Sequence, residues 1–177
     1  MDSPTVRESS TQDGLAPDLP TKVHGLVLRE LTIMDADAYY KLLDSNRGHL
    51  TRLGDYQAEG KATSEWVREH LSTASGASLR YGIRLNDELI GRVDLIAVDP
   101  PRYGTGYWLG EARVGAGYAT AACAVLYDYA ARTLGATDIF AGVTHGNAKS
   151  VALLKRLGFE PVTEFENYTR FHLSLVR

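Results

Sequence analysis

The chain has 177 residues, a net charge of −3 and a single cysteine, a size that suits one domain able to bury a core without disulfides or metals. It has no dense basic run to suggest a nucleic-acid surface and no apolar stretch of membrane-spanning length, and Met1-Asp-Ser-Pro-Thr lacks the basic start and apolar run of a signal peptide. Cys123 sits in an alanine-rich segment and reads as a small buried hydrophobe in a reducing, cytoplasmic setting.

Residues 1–21 are rich in Ser, Thr, Pro and Asp. They carry too little apolar surface to offset their ordering entropy, which predicts a disordered tail ahead of a single domain over 22–177. Leu26 to Leu31 reads as a first strand, and Thr32 or Asp35 can cap a helix through Tyr39, Tyr40, Leu42 and Leu43. Asn46 to Gln57 is a mixed segment holding Arg47, His49, Arg52 and Asp55, and a capped helix follows from Thr63 through Trp66, Val67 and Leu71.

Leu79 to Leu85 alternates as a strand should, Asn86-Asp87 supplies a turn, and Glu88 to Val98 is the antiparallel partner. Asp99-Pro-Pro-Arg breaks that strand, and Tyr103 to Leu109 runs back as the next. Gly117 to Leu134 is helical, with Ala121, Val125, Leu126 and Tyr129 along one face and Gly135 past its end. Asp138 to Thr144 is a strand and Asn147 to Leu157 a helix, and Phe159 to Phe165 with Thr169 to Val176 closes the chain as a strand pair. The order is mixed α/β around a mostly antiparallel sheet.

Chemistry concentrates in Gly106-Tyr-Trp-Leu-Gly-Glu-Ala-Arg-Val-Gly-Ala-Gly-Tyr-Ala-Thr120, where a strand feeds a glycine-rich turn that opens into a helix. Gly115 and Gly117 leave the backbone bare for a ligand, and the helix that follows would aim unpaired N–H groups and its positive dipole end at an anion. A second motif is Asn147-Ala-Lys-Ser-Val-Ala-Leu-Leu-Lys-Arg-Leu-Gly-Phe159, with Asn147 as N-cap and Gly158 just past the helix end. Asn147 and Ser150, three apart, share a face of the first turn.

The two motifs together resemble the GNAT acetyltransferases, most closely the Rim-type branch that acetylates N-termini of ribosomal proteins. The resemblance runs from about residue 25 to 176. It implies an α+β fold with a mixed, mostly antiparallel central sheet flanked by helices. It also implies an acetyl-CoA-dependent N-acetyltransferase whose acceptor is a primary amine, on a protein N-terminus or a small molecule, with no metal. Carried onto this sequence, the cofactor-binding positions are Trp108, Leu109 and Gly110 for pantetheine and the thioester carbonyl, then Val114, Gly115, Ala116, Gly117, Tyr118, Ala119 and Thr120 for the pyrophosphate. Asn147 and Ser150 would lie beside CoA, with Ser150 as proton donor to the departing sulfur. Val114 stands where the family has Gln or Arg, with Arg113 one residue earlier.

Gly104 stands where related enzymes often place a strand glutamate; another position they use, a glutamate after Gly-Phe at the entry to the last hairpin, implies Glu166 as the base, with Glu164, Asp94 and Glu111 as alternatives. A free α-amine titrates near 7.7–8.0, which leaves roughly a tenth of it neutral at pH 7, so an enzyme with a weak base can still serve low-pKa amines. Acceptor choice would fall to Arg47, His49, Arg52, Tyr56 and the closing hairpin. No histidine pair has metal-ligand spacing, and His49, His145 and His172 read as structural. The expected state is a monomer or homodimer with no nucleic-acid or membrane partner. The alternative reading, motivated by Gly104 and Val114, is a CoA-binding regulatory module without turnover.

Overall fold

The computed structural model describes residues 14–73 and 76–176. Eight strands form one sheet in the order β1-β2-β3-β4-β5-β6-β8-β7. They are β1 (Leu19–Pro20), β2 (Leu26–Glu30), β3 (Leu79–Leu85), β4 (Glu88–Asp99), β5 (Arg102–Leu109), β6 (Asp138–Thr144), β7 (Glu160–Glu164) and β8 (Tyr168–Ser174). Every neighbouring pair is antiparallel except β5 with β6, which run parallel. This is the α+β, mostly antiparallel arrangement expected from the order of elements.

Among the described residues six α-helices accompany the sheet: α1 (Ala36–Asp44), α2 (Arg47–Thr51), α3 (Gln57–Gly60), α4 (Ser64–Ser72), α5 (Tyr118–Thr133) and α6 (Ala148–Arg156). Two apolar cores result. One packs Leu126, Tyr127 and Ala130 of α5 against Leu28, Ile83, Val93 and Ile139, and the other packs Tyr39, Leu43, Val67 and Leu71 of α1 and α4 around Trp108. Each fully buried Leu or Ile contributes about 1.5–3 kcal/mol. The exposed ion pairs, such as Arg68–Asp37 and Arg132–Asp128, are each worth about 0–1 kcal/mol. The helices are therefore docked by their apolar faces.

Three expectations change. Residues 1–13 of the predicted tail lie outside the described residues, but its last part is ordered: Leu19 is buried and pairs with Leu28, and the Tyr81 hydroxyl donates to the Pro17 carbonyl at 3.1 Å. One apolar residue on a sheet edge and one buried donor suffice to hold a polar segment. The buried face of α5 is Ala122, Cys123, Leu126, Tyr127 and Ala130, so of the predicted stripe only Leu126 is fully buried. That helix is apolar or small nearly all round, and the 3.6-residue period alone leaves its rotation open. The mixed segment 46–57 yields α2 and the start of α3. Their helices are four or five residues long, too short for a periodic signal.

Candidate active site

The parallel pair β5 and β6 is in register only over Arg102–Gly104 with Asp138–Phe140. Beyond it the strands part, while β5 stays paired with β4 as far as Leu109. Backbone groups of successive residues point to opposite edges of a strand. The Trp108 carbonyl faces β4 at Gly91, where a Cβ would collide with it, and the Gly110 N–H donates to Ile90 O at 2.8 Å. Tyr107 and Leu109 therefore present their backbone groups to the opening. Both carbonyls are held from the α1–α4 side: the Tyr56 hydroxyl donates to Tyr107 O at 2.9 Å, and His49 Nε2–H donates to Leu109 O at 3.1 Å. Burial pushes the Tyr56 hydroxyl well above the usual tyrosine range, which keeps it a donor.

The opening is a cleft of about 190 Å³ lined by Asp55, Tyr56, Thr105, Gly106, Tyr107, Ala141, Gly142, Val143, Thr144, Asn147 and Ser150. A larger hollow of about 470 Å³ flanks the start of α6 and shares Val143, Thr144 and Asn147 with the cleft, but Ser150 and Tyr107 line only the smaller one. Asn147 caps α6 by accepting from Ser150 N–H at 3.2 Å. That bond fixes Ser150 in the first turn, where its Oγ lies 2.5 Å from the Tyr107 hydroxyl. Burial, chiefly, raises the Tyr107 pKa well above the ordinary value, against the lowering effect of the Ser150 bond. Tyr107 therefore stays protonated at neutral pH and can give its hydrogen to Ser150 Oγ, which frees the serine hydrogen for the cleft.

After Leu109 β5 gives way to a short 3-10 turn over Glu111–Arg113, and the chain reaches α5 through Gly115 and Gly117, at φ 85° and 81°. Gly117 is the N-cap of α5 and supplies no side chain to the helix end. A Cβ at either glycine would meet nothing within 4 Å, so the space beside both Cα atoms is open. Arg156 of α6 donates to Thr120 Oγ1 at 3.3 Å, which sets a cation beside the same helix end. An anion there would meet backbone donors, a helix dipole and a guanidinium together.

The acetyltransferase (GNAT) domain family model matches residues 25–160. The chain belongs to the GNAT acetyltransferase family. No curated protein matches the sequence. The fold of this GNAT enzyme is similar to that of a RimL ribosomal L7/L12 alpha-N-protein acetyltransferase in complex with coenzyme A, with a TM-score of 0.80 and 19% identity over 89% of this chain and 98% of that one. It is also similar to the ribosomal-protein-S5-alanine acetyltransferase of Vibrio fischeri (0.75, 19%, 86% and 94%). A third likeness is to the microcin C7 self-immunity acetyltransferase MccE in complex with acetyl-CoA and AMP (0.73, 18%, 86% and 93%).

Within the GNAT domain the predicted residues divide. Asn147 and Ser150 line the cleft, whereas Val114 to Gly117 form the turn after β5 and Tyr118 to Thr120 the start of α5, and none of these seven lines it. Leu109 faces the opening, but the backbones of Trp108 and Gly110 are directed to β4 instead, because strand alternation allows only every second residue on the free edge. The Trp108 side chain is 5% exposed and packs on Tyr39 with ring centroids 6.0 Å apart. Arg113, the substitute for the family's Gln or Arg, is drawn off by Glu88 at 2.8 Å.

The base assignment fares differently. Glu166 is exposed at the tip of the β7–β8 hairpin and does not line the cleft, because the turn closed by Phe165 N–H to Tyr168 O at 2.8 Å carries it outward. Glu164 is likewise exposed. Asp94 of β4, opposite Gly106 on β5, does not line the cleft and is held by Arg92 at 3.0 Å; burial raises its pKa, but the guanidinium counters that. Glu111 pairs with Arg52 at 2.9 Å, which lowers its pKa.

Of the four predicted acceptor-side residues, Tyr56 lines the cleft and His49 braces its edge. Arg47 is spent on the carbonyls of Glu59, Gly60 and Ala62. Tyr107 is not among the predicted site residues; a tyrosine on the strand face opposite the tryptophan, three positions from the turn, is the available signal. Arg156 carried none beyond its place in the last turn of α6. Among the described residues no group of three His, Cys, Asp or Glu could hold a metal ion.

Proposed function

We propose that this GNAT enzyme transfers the acetyl group of acetyl-CoA to a primary amine, and that the acceptor is the free α-amine of a protein N-terminus. The observation that carries the reading is the parting of β5 from β6 beside Ser150, followed along the chain by the uncapped N-terminus of α5. Acetyl-CoA supplies an activated acyl carbon on a thiol leaving group. In this reading the N–H groups of residues 115–120 and Arg156 bind its pyrophosphate, and the free edge at Tyr107 and Leu109 aligns the pantetheine arm. Positioning of this kind can supply several kcal/mol of the barrier.

Ser150 then donates to the sulfur as the C–S bond breaks, oriented by Tyr107. The N-terminal acceptor is favoured by the activities of the similar L7/L12 and S5 acetyltransferases, and by the roughly one-tenth of an α-amine that is already neutral at pH 7. A thiol-release assay against N-terminal peptides, polyamines, amino acids and antibiotics tests it: peptides with a free N-terminus should give the highest kcat/KM. A polyamine or antibiotic turned over far faster would move the acceptor to the small-molecule class.

A further inference from the structure

We propose that Asp55 holds the acceptor amine and takes its proton as the new C–N bond forms; this rests on the acetyl-transfer reading above. Among the described residues that line the cleft, Asp55 is the one carboxylate, and no lysine or arginine lines it. The cleft therefore carries a single formal charge, and it is negative. Such a site favours a cationic or proton-donating guest.

The carboxylate is held in place from two sides. Thr144, at the end of β6, donates its hydroxyl to Asp55 Oδ1 at 2.6 Å. The next residue, Tyr56, adopts a left-handed backbone at φ 52°, a conformation that costs a non-glycine residue free energy and persists only where the surroundings impose it. Here they do: the Tyr56 hydroxyl is anchored on Tyr107 O and its carbonyl accepts from Gly60 N–H at 2.8 Å. The strained residue thus clamps the loop that carries Asp55 onto the free edge of β5. Among the described residues Asp55 forms no ion pair, and its one side-chain bond uses Oδ1, so Oδ2 is left to meet a guest.

The chemistry balances without any further reagent. The amine lone pair attacks the thioester carbon, one N–H proton passes from the nitrogen to the Asp55 carboxylate, and the C–S bond breaks with its electron pair on sulfur. Sulfur takes a proton from Ser150, and the proton on Asp55 returns to solvent as Ser150 regains one. A carboxylate is too weak a base to strip a free ammonium ion efficiently. Once the C–N bond has begun to form, however, the nitrogen becomes strongly acidic and a carboxylate suffices. Asp55 therefore does the work that the sequence assigned to Glu166, from inside the cleft.

The test measures two quantities on wild type, Asp55→Asn and Asp55→Glu, all loaded with CoA or acetyl-CoA. Calorimetry compares a short Ala- or Ser-initiated peptide with its N-acetylated form, and thiol release gives kcat/KM for the free peptide. The expected result is that Asp55→Asn binds acetyl-CoA within about 2-fold of wild type. It should bind the free peptide at least 10-fold more weakly, lose at least 100-fold in kcat/KM, and recover part of both in Asp55→Glu. Turnover and free-peptide affinity within 3-fold of wild type would overturn the proposal. So would an equal loss of affinity for the acetylated peptide or for acetyl-CoA, which marks a structural role. Selective binding of the free peptide that depends on Asp55, in a protein releasing no thiol, would support Asp55 as the amine site and overturn only the acetyl-transfer reading.

Discussion

A serine hydroxyl is a poor acid on its own, and what distinguishes Ser150 is the tyrosine 2.5 Å from it. Tyr107 has one hydrogen and, buried as it is, does not ionise at neutral pH; donating that hydrogen to Ser150 Oγ commits the serine to donate into the cleft. Ser150→Ala should lower kcat by about 10²-fold with little change in acetyl-CoA affinity, at the low end of what general acids contribute. Tyr107→Phe should cost about 10-fold, and the double variant should be no worse than Ser150→Ala, because the tyrosine acts through the serine. Additive losses in single-turnover rates would instead give Tyr107 an independent role.

A second residue-scale effect concerns stability. His70 stacks on Trp66 with ring centroids 4.5 Å apart, and burial, with Arg80 nearby, lowers its pKa to about 4. An unfolded histidine titrates near 6.5, so between about pH 6.5 and 4 the unfolded chain binds the extra proton and stability falls as pH falls. The contribution is fully present above pH 6.5. Tm measured across that window should drop less steeply in His70→Gln than in wild type; parallel curves would remove His70 from the account.

At the scale of elements, function depends on two places where regular pairing stops. β5 leaves β6 after Gly104, and α5 begins at a glycine that supplies no cap. Four N–H groups at the start of a helix need partners, and the open turn leaves them to an anion. Gly117→Glu places a charged side chain at a position with φ 81° and would repel the pyrophosphate. Acetyl-CoA affinity by calorimetry should fall at least 100-fold while the far-UV spectrum stays native. An unchanged dissociation constant would mean that the pyrophosphate binds elsewhere.

Much of this scale was legible. The glycines at 115 and 117, the Asn147 cap and the alternation of β3 to β5 are local signals with local causes. The rotation of α5, the short helices α2 and α3, and the left-handed Tyr56 were not, because they are set by long-range contacts. Tyr56 is held by the Tyr107 carbonyl, 51 residues away in sequence.

For the whole molecule, the sheet brings three distant stretches to one cleft: the α2–α3 segment with Asp55 and Tyr56, the free edge of β5, and the end of β6 with the start of α6. The sequence motifs for CoA lie in the second and third of these and could be read directly. The first contains no motif, and its role emerges only when Thr144 of β6 is seen to hold Asp55 across 89 residues of chain. That is why the resemblance, which offers a glutamate after Gly-Phe, leads to Glu166 and not to a carboxylate in an unpatterned loop. Beneath the cleft, Arg92 gathers Tyr39, Glu59 and Asp94 into a buried polar cluster. Removing one member of such a cluster would strand the opposite charges, so it ties the floor of the site to both helical and strand layers.

Acetyl transfer to an amine in this cleft is read out by the rate of thiol release from acetyl-CoA with a free-N-terminus peptide beside its N-acetylated twin. The account predicts saturable release with the free peptide, matched one-for-one by acetylated product, and only background release with the blocked one. Equal release with both peptides, or none with any amine while acetyl-CoA binds, would contradict it.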